Sequence, residues 1–241
     1  MIPLRDRNPT RRTPIVTWAL IGACFAAFAL QLWISASGGE RALERFFVQW
    51  GAVPAEITDA LESGNYLGQA TIGMFTSMFL HGGWLHLLGN MLFLWIFGNN
   101  VEDRLGSIPF LLFYLVGGIA AALTQVVIDP RSSVPLVGAS GAIAAALGAY
   151  IVLFPGARIL ALVFLGFFYQ LLEVPAIVVL GFWFVLQLVS GFMAFDAETA
   201  QGGVAFFAHI GGFVFGLAVG LLLRVVSGDT GRDRRAARSM G

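Results

Sequence analysis

Residues 204–226 read Val204-Ala205-Phe206-Phe207-Ala208-His209-Ile210-Gly211-Gly212-Phe213-Val214-Phe215-Gly216-Leu217-Ala218-Val219-Gly220-Leu221-Leu222-Leu223-Arg224-Val225-Val226. A helix needs roughly 20 apolar residues to cross the hydrocarbon core of a bilayer, and this run meets that length. Gly212, Gly216 and Gly220 recur at four-residue spacing, so they form a small-residue ridge on one helical face. His209 stands three residues before Gly212 and shares that face. A histidine is costly to bury in lipid, so its presence asks for a purpose.

Similar windows lie upstream, near 14–36, 74–98, 107–128, 138–154 and 174–194. The composition agrees: 58% apolar residues, 12% charged and a mean hydropathy of +0.82 exclude an ordinary soluble domain. No alternating ten-residue strands argue for a barrel. The expected fold class is therefore all-α, a polytopic membrane protein with six transmembrane helices over 14–226. A polar N-terminal segment, 1–13, precedes it and an arginine-rich tail, 227–241, follows it. The first span is too long for a signal-peptide core and no small-residue cleavage site follows, so it reads as a retained helix.

Two connections carry patterns of their own. Glu40-Arg41-Ala42-Leu43-Glu44-Arg45-Phe46-Phe47 predicts a short amphipathic helix at the outer interface, ending around Trp50 and Pro54. Residues 159–169 are apolar but too short to span. Pro155-Gly156 before them and Pro175 after them suggest a hairpin or interfacial piece on the cytoplasmic side, with Glu173 near its exit. The lone cysteine, Cys24, lies inside the first span, which excludes disulfides and cysteine–metal sites and leaves a packing role.

Arginine placement sets the orientation, because the chain has no lysine. With six spans both termini share one side, which carries eleven arginines against three (Arg41, Arg45 and Arg131) on the other. The positive-inside tendency makes the terminal side cytoplasmic. Helices 2, 4 and 6 then start on the outer side, and so do the polar residues near their N-terminal ends.

Ser140 lies in Gly138-Ala139-Ser140-Gly141 at the start of helix 4, where the first N–H groups lack intrahelical partners. The glycines let the backbone approach a reacting group. Taken alone, this motif is better explained by a packing turn, which fits most such motifs in membrane helices. His209 is expected at a similar depth, and Ser140, Ala144 and Gly148 form a small face that could pair with the glycine ridge of helix 6. Such closeness suits a hydrogen bond from Ser140 Oγ to the imidazole. The competing reading is a histidine satisfied by a backbone carbonyl. In helix 2, His86 and Asn90 are four residues apart on one face and can donate hydrogen bonds to an oxyanion, although intramembrane asparagine also serves helix packing. His81 precedes them. Three histidines without a nearby carboxylate at ligand spacing, and no His-Glu-x-x-His, argue against zinc.

Together these residues resemble the rhomboid family of intramembrane serine proteases. The resemblance spans about 74–220 and rests on His81-x4-His86-x3-Asn90, Glu102-Asp103-Arg104-Leu105-Gly106, Gly138-Ala139-Ser140-Gly141 and Ala208-His209-x2-Gly212-x3-Gly216. It implies a bacterial six-helix form in the inner membrane, with Ser140 as nucleophile and His209 as general base. It also implies an oxyanion hole of the Ser140 N–H, His86 and Asn90, and a structural role for Glu102 and Arg104. Some members carry a tyrosine four residues after the serine, beneath the histidine, where this chain has Ala144; the family's first-loop Trp-Arg pair is not evident in 37–73. The implied partners are transmembrane protein substrates and the bilayer, with no cofactor, metal or nucleic acid and no signal for an oligomeric state. Substrates would enter past helix 5, where Gly181, Phe182, Trp183 and Phe184 could gate the site. A catalytically inactive rhomboid-like chaperone or binding protein shares this fold, and a small transporter is the remaining alternative.

Overall fold

A computed structural model of the chain describes residues 1–165, 168–195 and 205–226. In chain order its elements are β1 (Ile2–Asp6), α1 (Ile15–Trp50), α2 (Pro54–Ser63), α3 (Gln69–Thr76), α4 (Trp84–Phe93), α5 (Asn99–Leu105), α6 (Ser107–Ile128), α7 (Ser140–Leu153), β2 (Arg158–Leu165), β3 (Phe168–Pro175), α8 (Ala176–Phe195) and α9 (Phe206–Val226). Among the described residues, α1, α6, α8 and α9 are each long and apolar enough to cross a membrane. The chain is a polytopic helical membrane bundle. The arginine-rich tail expected at 227–241 and the connection between α8 and α9 lie outside the described residues.

The six apolar windows all hold helices, but two of them differ from the reading. The first helix does not stop near residue 36: it bends at Gly39 (φ 70°, ψ −174°) and runs on to Trp50, absorbing the amphipathic segment. The window at 74–98 is not one helix. The chain turns by 81° between Gln69–Phe79 and Trp84–Leu105. The turn is held from another helix: the Gln31 amide of α1 donates to the His81 carbonyl (2.7 Å) and accepts from the His81 N–H (3.1 Å). Backbone groups that a continuous helix would pair internally are thus satisfied from outside. A π-turn, Leu94–Gly98, then joins α4 to α5 in one helix.

The short helix α7 is the centre of the bundle. Eleven of its 14 residues are buried, so protein rather than lipid surrounds it and it need not reach a full membrane length. Its packing against α9 is backbone to backbone. A methyl group at Gly216 would run into the Ala145 carbonyl, one at Gly212 into the Gly141 carbonyl, and one at Gly148 into the Phe213 carbonyl. The contact line on α7 is therefore Gly141, Ala145 and Gly148, one residue round from the Ser140–Ala144–Gly148 face expected. That rotation leaves Ser140 at the edge of the seam, free to face the next side chain.

Beside the helices stands a small antiparallel sheet, ordered β1-β2-β3; its β2–β3 hairpin is one of the forms expected for the short apolar run, while the β1 strand is absent from the all-helical reading. The short apolar run after α7 satisfies its backbone as a hairpin from Arg158 to Pro175, and the N-terminal segment completes the sheet, with Ile2 opposite Leu162. Residues 1–13 are thus bound to the membrane domain rather than separate from it. Arg7 pairs with Glu173 at 2.5 Å. The Asp6 carboxylate accepts from Asn100 Nδ2 (2.6 Å) and Tyr150 Oη (3.0 Å), and burial pushes this carboxyl above its ordinary range.

Glu102 ties the same end of the bundle together. Its buried carboxylate accepts from the Val16 N–H (3.0 Å), the Thr17 N–H (2.7 Å), Thr17 Oγ1 (2.8 Å) and Ser107 Oγ (2.7 Å). It caps α1, whose first N–H groups have no intrahelical partner, and places negative charge where the helix dipole favours it.

The α7–α9 seam yields a direct test. Gly216→Val must push the helices apart, and overpacking of this kind costs about 1–3 kcal/mol or more. A lowered thermal midpoint in detergent is expected. Gly22→Ala in α1, with nothing within 4 Å, should leave the midpoint unchanged or slightly raised.

Candidate active site

Every polar group read as chemical stands within the first two turns of a helix at the end of the bundle away from the sheet. Ser140 is the first residue of α7, His209 the fourth of α9 and His86 the third of α4. The loop ahead of Ser140 is fixed by backbone bonds: Ala52 N–H to Leu136 O (3.1 Å), Leu136 N–H to Ala52 O (2.8 Å) and Gly138 N–H to Ser77 O (2.9 Å). Gly138 has φ +128°, a conformation that favours glycine, and a methyl group there would meet the His86 ring.

Ser140 Oγ lies 2.6 Å from His209 Nε2, and His209 Nδ1 lies 2.7 Å from Gln187 Oε1 of α8. A hydroxyl that donates to Nε2 leaves the imidazole hydrogen on Nδ1, where the amide oxygen accepts it. Trp183, one turn before Gln187, packs on the imidazole with ring centroids 5.9 Å apart and an angle of 38°. Ala144 is fully buried in the core, so the aromatic partner of His209 comes from α8 rather than from α7.

The donors on α4 are poised differently. Gly82 N–H approaches His86 Nδ1 (3.3 Å), which makes Nδ1 an acceptor and leaves the hydrogen on Nε2. Asn90 spends one N–H on the His86 carbonyl (3.0 Å) and keeps a second. Both side chains, with Ser140, His209 and Trp183, line one cavity of about 760 Å³. His81 does not line it. Its ring is fully buried and packs edge-on behind His86 (5.2 Å, 69°).

The other predicted residues lie elsewhere. Gly141, Gly212 and Gly216 form the seam beneath the serine, while Glu102 and Arg104 are at the opposite end, Arg104 exposed beside Arg11 and Arg12. Two glutamines were missed. Gln187 touches His209, and Gln31 holds the backbone ahead of His86. Each is a lone amide in an apolar span, a signal of the same kind that drew attention to His209. Among the described residues no three His, Cys, Asp or Glu side chains group closely enough to hold a metal ion.

Fold and site together define a polytopic helical membrane protein with a hydrogen-bonded Ser–His pair at the ends of two packed helices. Residues 69–225 match the Rhomboid domain family model, and the chain belongs to the rhomboid family. It is 31% identical over 153 residues to Rhomboid protein 1, mitochondrial, of Saccharomyces cerevisiae, covering 62% of this chain and 41% of that protein. It is 36% identical over 148 residues to Rhomboid protease GluP of Bacillus subtilis, covering 61% of this chain and 26% of that protein. Rhomboid-like protein 11, chloroplastic, of Arabidopsis thaliana is 44% identical over 68 residues, 28% of this chain and 24% of that protein. The chain thus matches less than half the length of these relatives. At family level the membership carries intramembrane proteolysis, in a family that also has inactive members.

Gln31→Leu tests how the loop ahead of His86 is held. It leaves the buried His81 N–H and C=O without their partner, at about 1–3 kcal/mol for each unsatisfied group. A lower thermal midpoint is expected.

Proposed function

We propose that this chain is an intramembrane serine endopeptidase that cleaves transmembrane segments of other membrane proteins. The observation that carries the reading is the 2.6 Å contact between Ser140 Oγ and His209 Nε2, in a cavity shared with His86 and Asn90. An inactive relative has no need to keep a serine and an imidazole in hydrogen-bond register at helix ends.

In this mechanism Ser140 Oγ attacks the scissile carbonyl carbon while His209 Nε2 takes the hydroxyl proton. Negative charge gathers on the carbonyl oxygen, and the Ser140 N–H, His86 Nε2–H and the free N–H of Asn90 receive it. The Ser140 N–H is at a helix N-terminus, where the dipole favours that charge. His209 returns its proton to the departing amine as the peptide C–N bond breaks, leaving an ester on Ser140. Water then attacks the ester carbonyl as His209 takes one of its protons; the ester C–O bond to Ser140 breaks, His209 returns that proton to Ser140 Oγ, and a carboxylic acid leaves. Hydrolysis needs no metal or nucleotide.

In the same reading six helices cross the bilayer, α7 as the short central one. Both termini and the sheet face the cytoplasm, in line with the positive-inside tendency of the eleven arginines on that side, and the cavity faces outward where water can enter. Substrates approach from lipid past α8, whose Trp183 and Phe184 lie against His209 and Phe213. The domain division is then a short N-terminal strand segment, a membrane domain over 14–226 and a cytoplasmic tail from 227.

The test uses a purified single-span reporter in detergent or vesicles. Ser140→Ala and His209→Ala should each reduce cleavage by at least about 10³-fold, the scale of losing a member of a serine–histidine unit. A fluorophosphonate should label wild type and spare Ser140→Ala. Cleavage by both variants at the wild-type rate would overturn the proposal.

A further inference from the structure

Behind the serine and the imidazole stands a third group from a third helix. Gln187 Oε1 is 2.7 Å from His209 Nδ1, and Gln187 and Trp183 are one turn apart on α8, so both present to the same imidazole. An imidazole used as a base through Nε2 must carry its hydrogen on Nδ1, and which nitrogen carries it is set by the partner of the other. In a neutral histidine the two tautomers are close in energy, and the wrong one puts a hydrogen between Nε2 and Ser140 Oγ. A carboxylate would select the right one. Among the described residues, the two ring nitrogens of His209 meet Ser140 and Gln187, and no carboxylate contacts them.

We infer that Gln187 is a positioning residue for His209, whose amide oxygen holds the imidazole in its Nδ1–H form and so keeps Nε2 free for the Ser140 proton. This rests on the peptidase reading for its consequence in catalysis, but the tautomer is a property of the resting protein. An amide also has a donor end, and turning it toward Nδ1 would select the opposite tautomer. The Ser140 hydroxyl opposes that: it donates to Nε2 only when Nε2 is bare, so the two bonds select each other. Because Gln187 comes from α8, the register of that helix sets the state of the base.

The experiment uses the full chain in detergent micelles with ¹⁵N-labelled histidine. The chain has three histidines, so the His209 signals are identified by their loss in His209→Ala. Wild type should show a protonated Nδ1 and a bare Nε2. Gln187→Leu, of similar size and without an acceptor, should move His209 to an Nε2–H form or a mixture. Gln187→Glu, which keeps an acceptor in place, should hold Nδ1 protonated. On the reporter, Gln187→Leu should lower kcat about 10- to 100-fold, as loss of a partner orienting a functional histidine does elsewhere, with KM within about twofold. Gln187→Glu should recover most of that loss. An unchanged His209 spectrum in Gln187→Leu overturns the inference, and so does a loss of thermal stability with tautomer and kcat intact, which marks a packing residue. Failure of the peptidase reading shows separately, as Ser140→Ala cleaving like wild type, and leaves the spectral result standing.

Discussion

The fold depends on how closely α7 and α9 approach. At Gly212, Gly216 and Gly148 the backbone of one helix touches the backbone of the other, and any side chain in those places would hold them apart. In lipid there is little hydrophobic gain from bringing two apolar helices together, so close van der Waals packing between small residues supplies the association. The separation fixed by this seam fixes the separation of what rides on it. Ser140 begins α7 and His209 lies in the first turn of α9, and a 2.6 Å bond between them follows from the packing a few residues below. An ångström of extra spacing would leave the two residues in place and the bond broken.

The two ends of the bundle divide the polar work. At one end, buried or half-buried groups are consumed by structure: Glu102 caps α1, Asp6 receives Asn100 and Tyr150, and β1 seals the hairpin that links α7 to α8. At the other end several donors are held short of full use. Helix N-termini supply the Ser140 N–H, His86 keeps its Nε2–H toward the Gly138 loop, and Asn90 retains one amide hydrogen. These donors cost little to keep because a cavity adjoins them. Rigid support comes from the opposite direction: Gln31 grips His81, whose ring backs His86, and Ser77 and Ala52 hold the loop before the serine.

Much of this was legible because lipid imposes simple rules. A span must be long and apolar, a polar residue inside it must have a reason, and a small-residue ridge must meet a neighbour; these rules pick out the apolar helices and single out Ser140, His209, His86 and Asn90, which the structure gathers around one cavity. The same rules fail at places where one side chain satisfies another segment's backbone. The break before Trp84 depends on Gln31, about fifty residues away, and no local pattern announces it. The sheet depends on residues 2–6 meeting residues 159–162, a pairing that hydropathy cannot encode. The one-residue rotation of the α7 face is decided by whether Gly141 or Ser140 meets Gly212, which helical spacing alone does not separate. Gln187 was hidden differently, since attention to charged partners passed over a neutral one.

That neutrality has a physical sense. A carboxylate beside His209 would bind the imidazolium strongly, but an anion at this depth must be desolvated whenever the base is uncharged, at several kcal/mol. An amide oxygen accepts the same Nδ1 hydrogen without carrying a charge into a low-dielectric site. In the proposed peptidase this exchange would have a cost: a neutral partner stabilises an imidazolium less as the proton arrives, so more of the charge separation would fall to the donors on the oxyanion side. The arrangement is compatible with that proposal, with one N–H at a helix N-terminus and two donor side chains on α4. A membrane-embedded serine–imidazole site can therefore do without an acid if the tautomer is fixed by a neutral acceptor and the negative end of the transition state is well held.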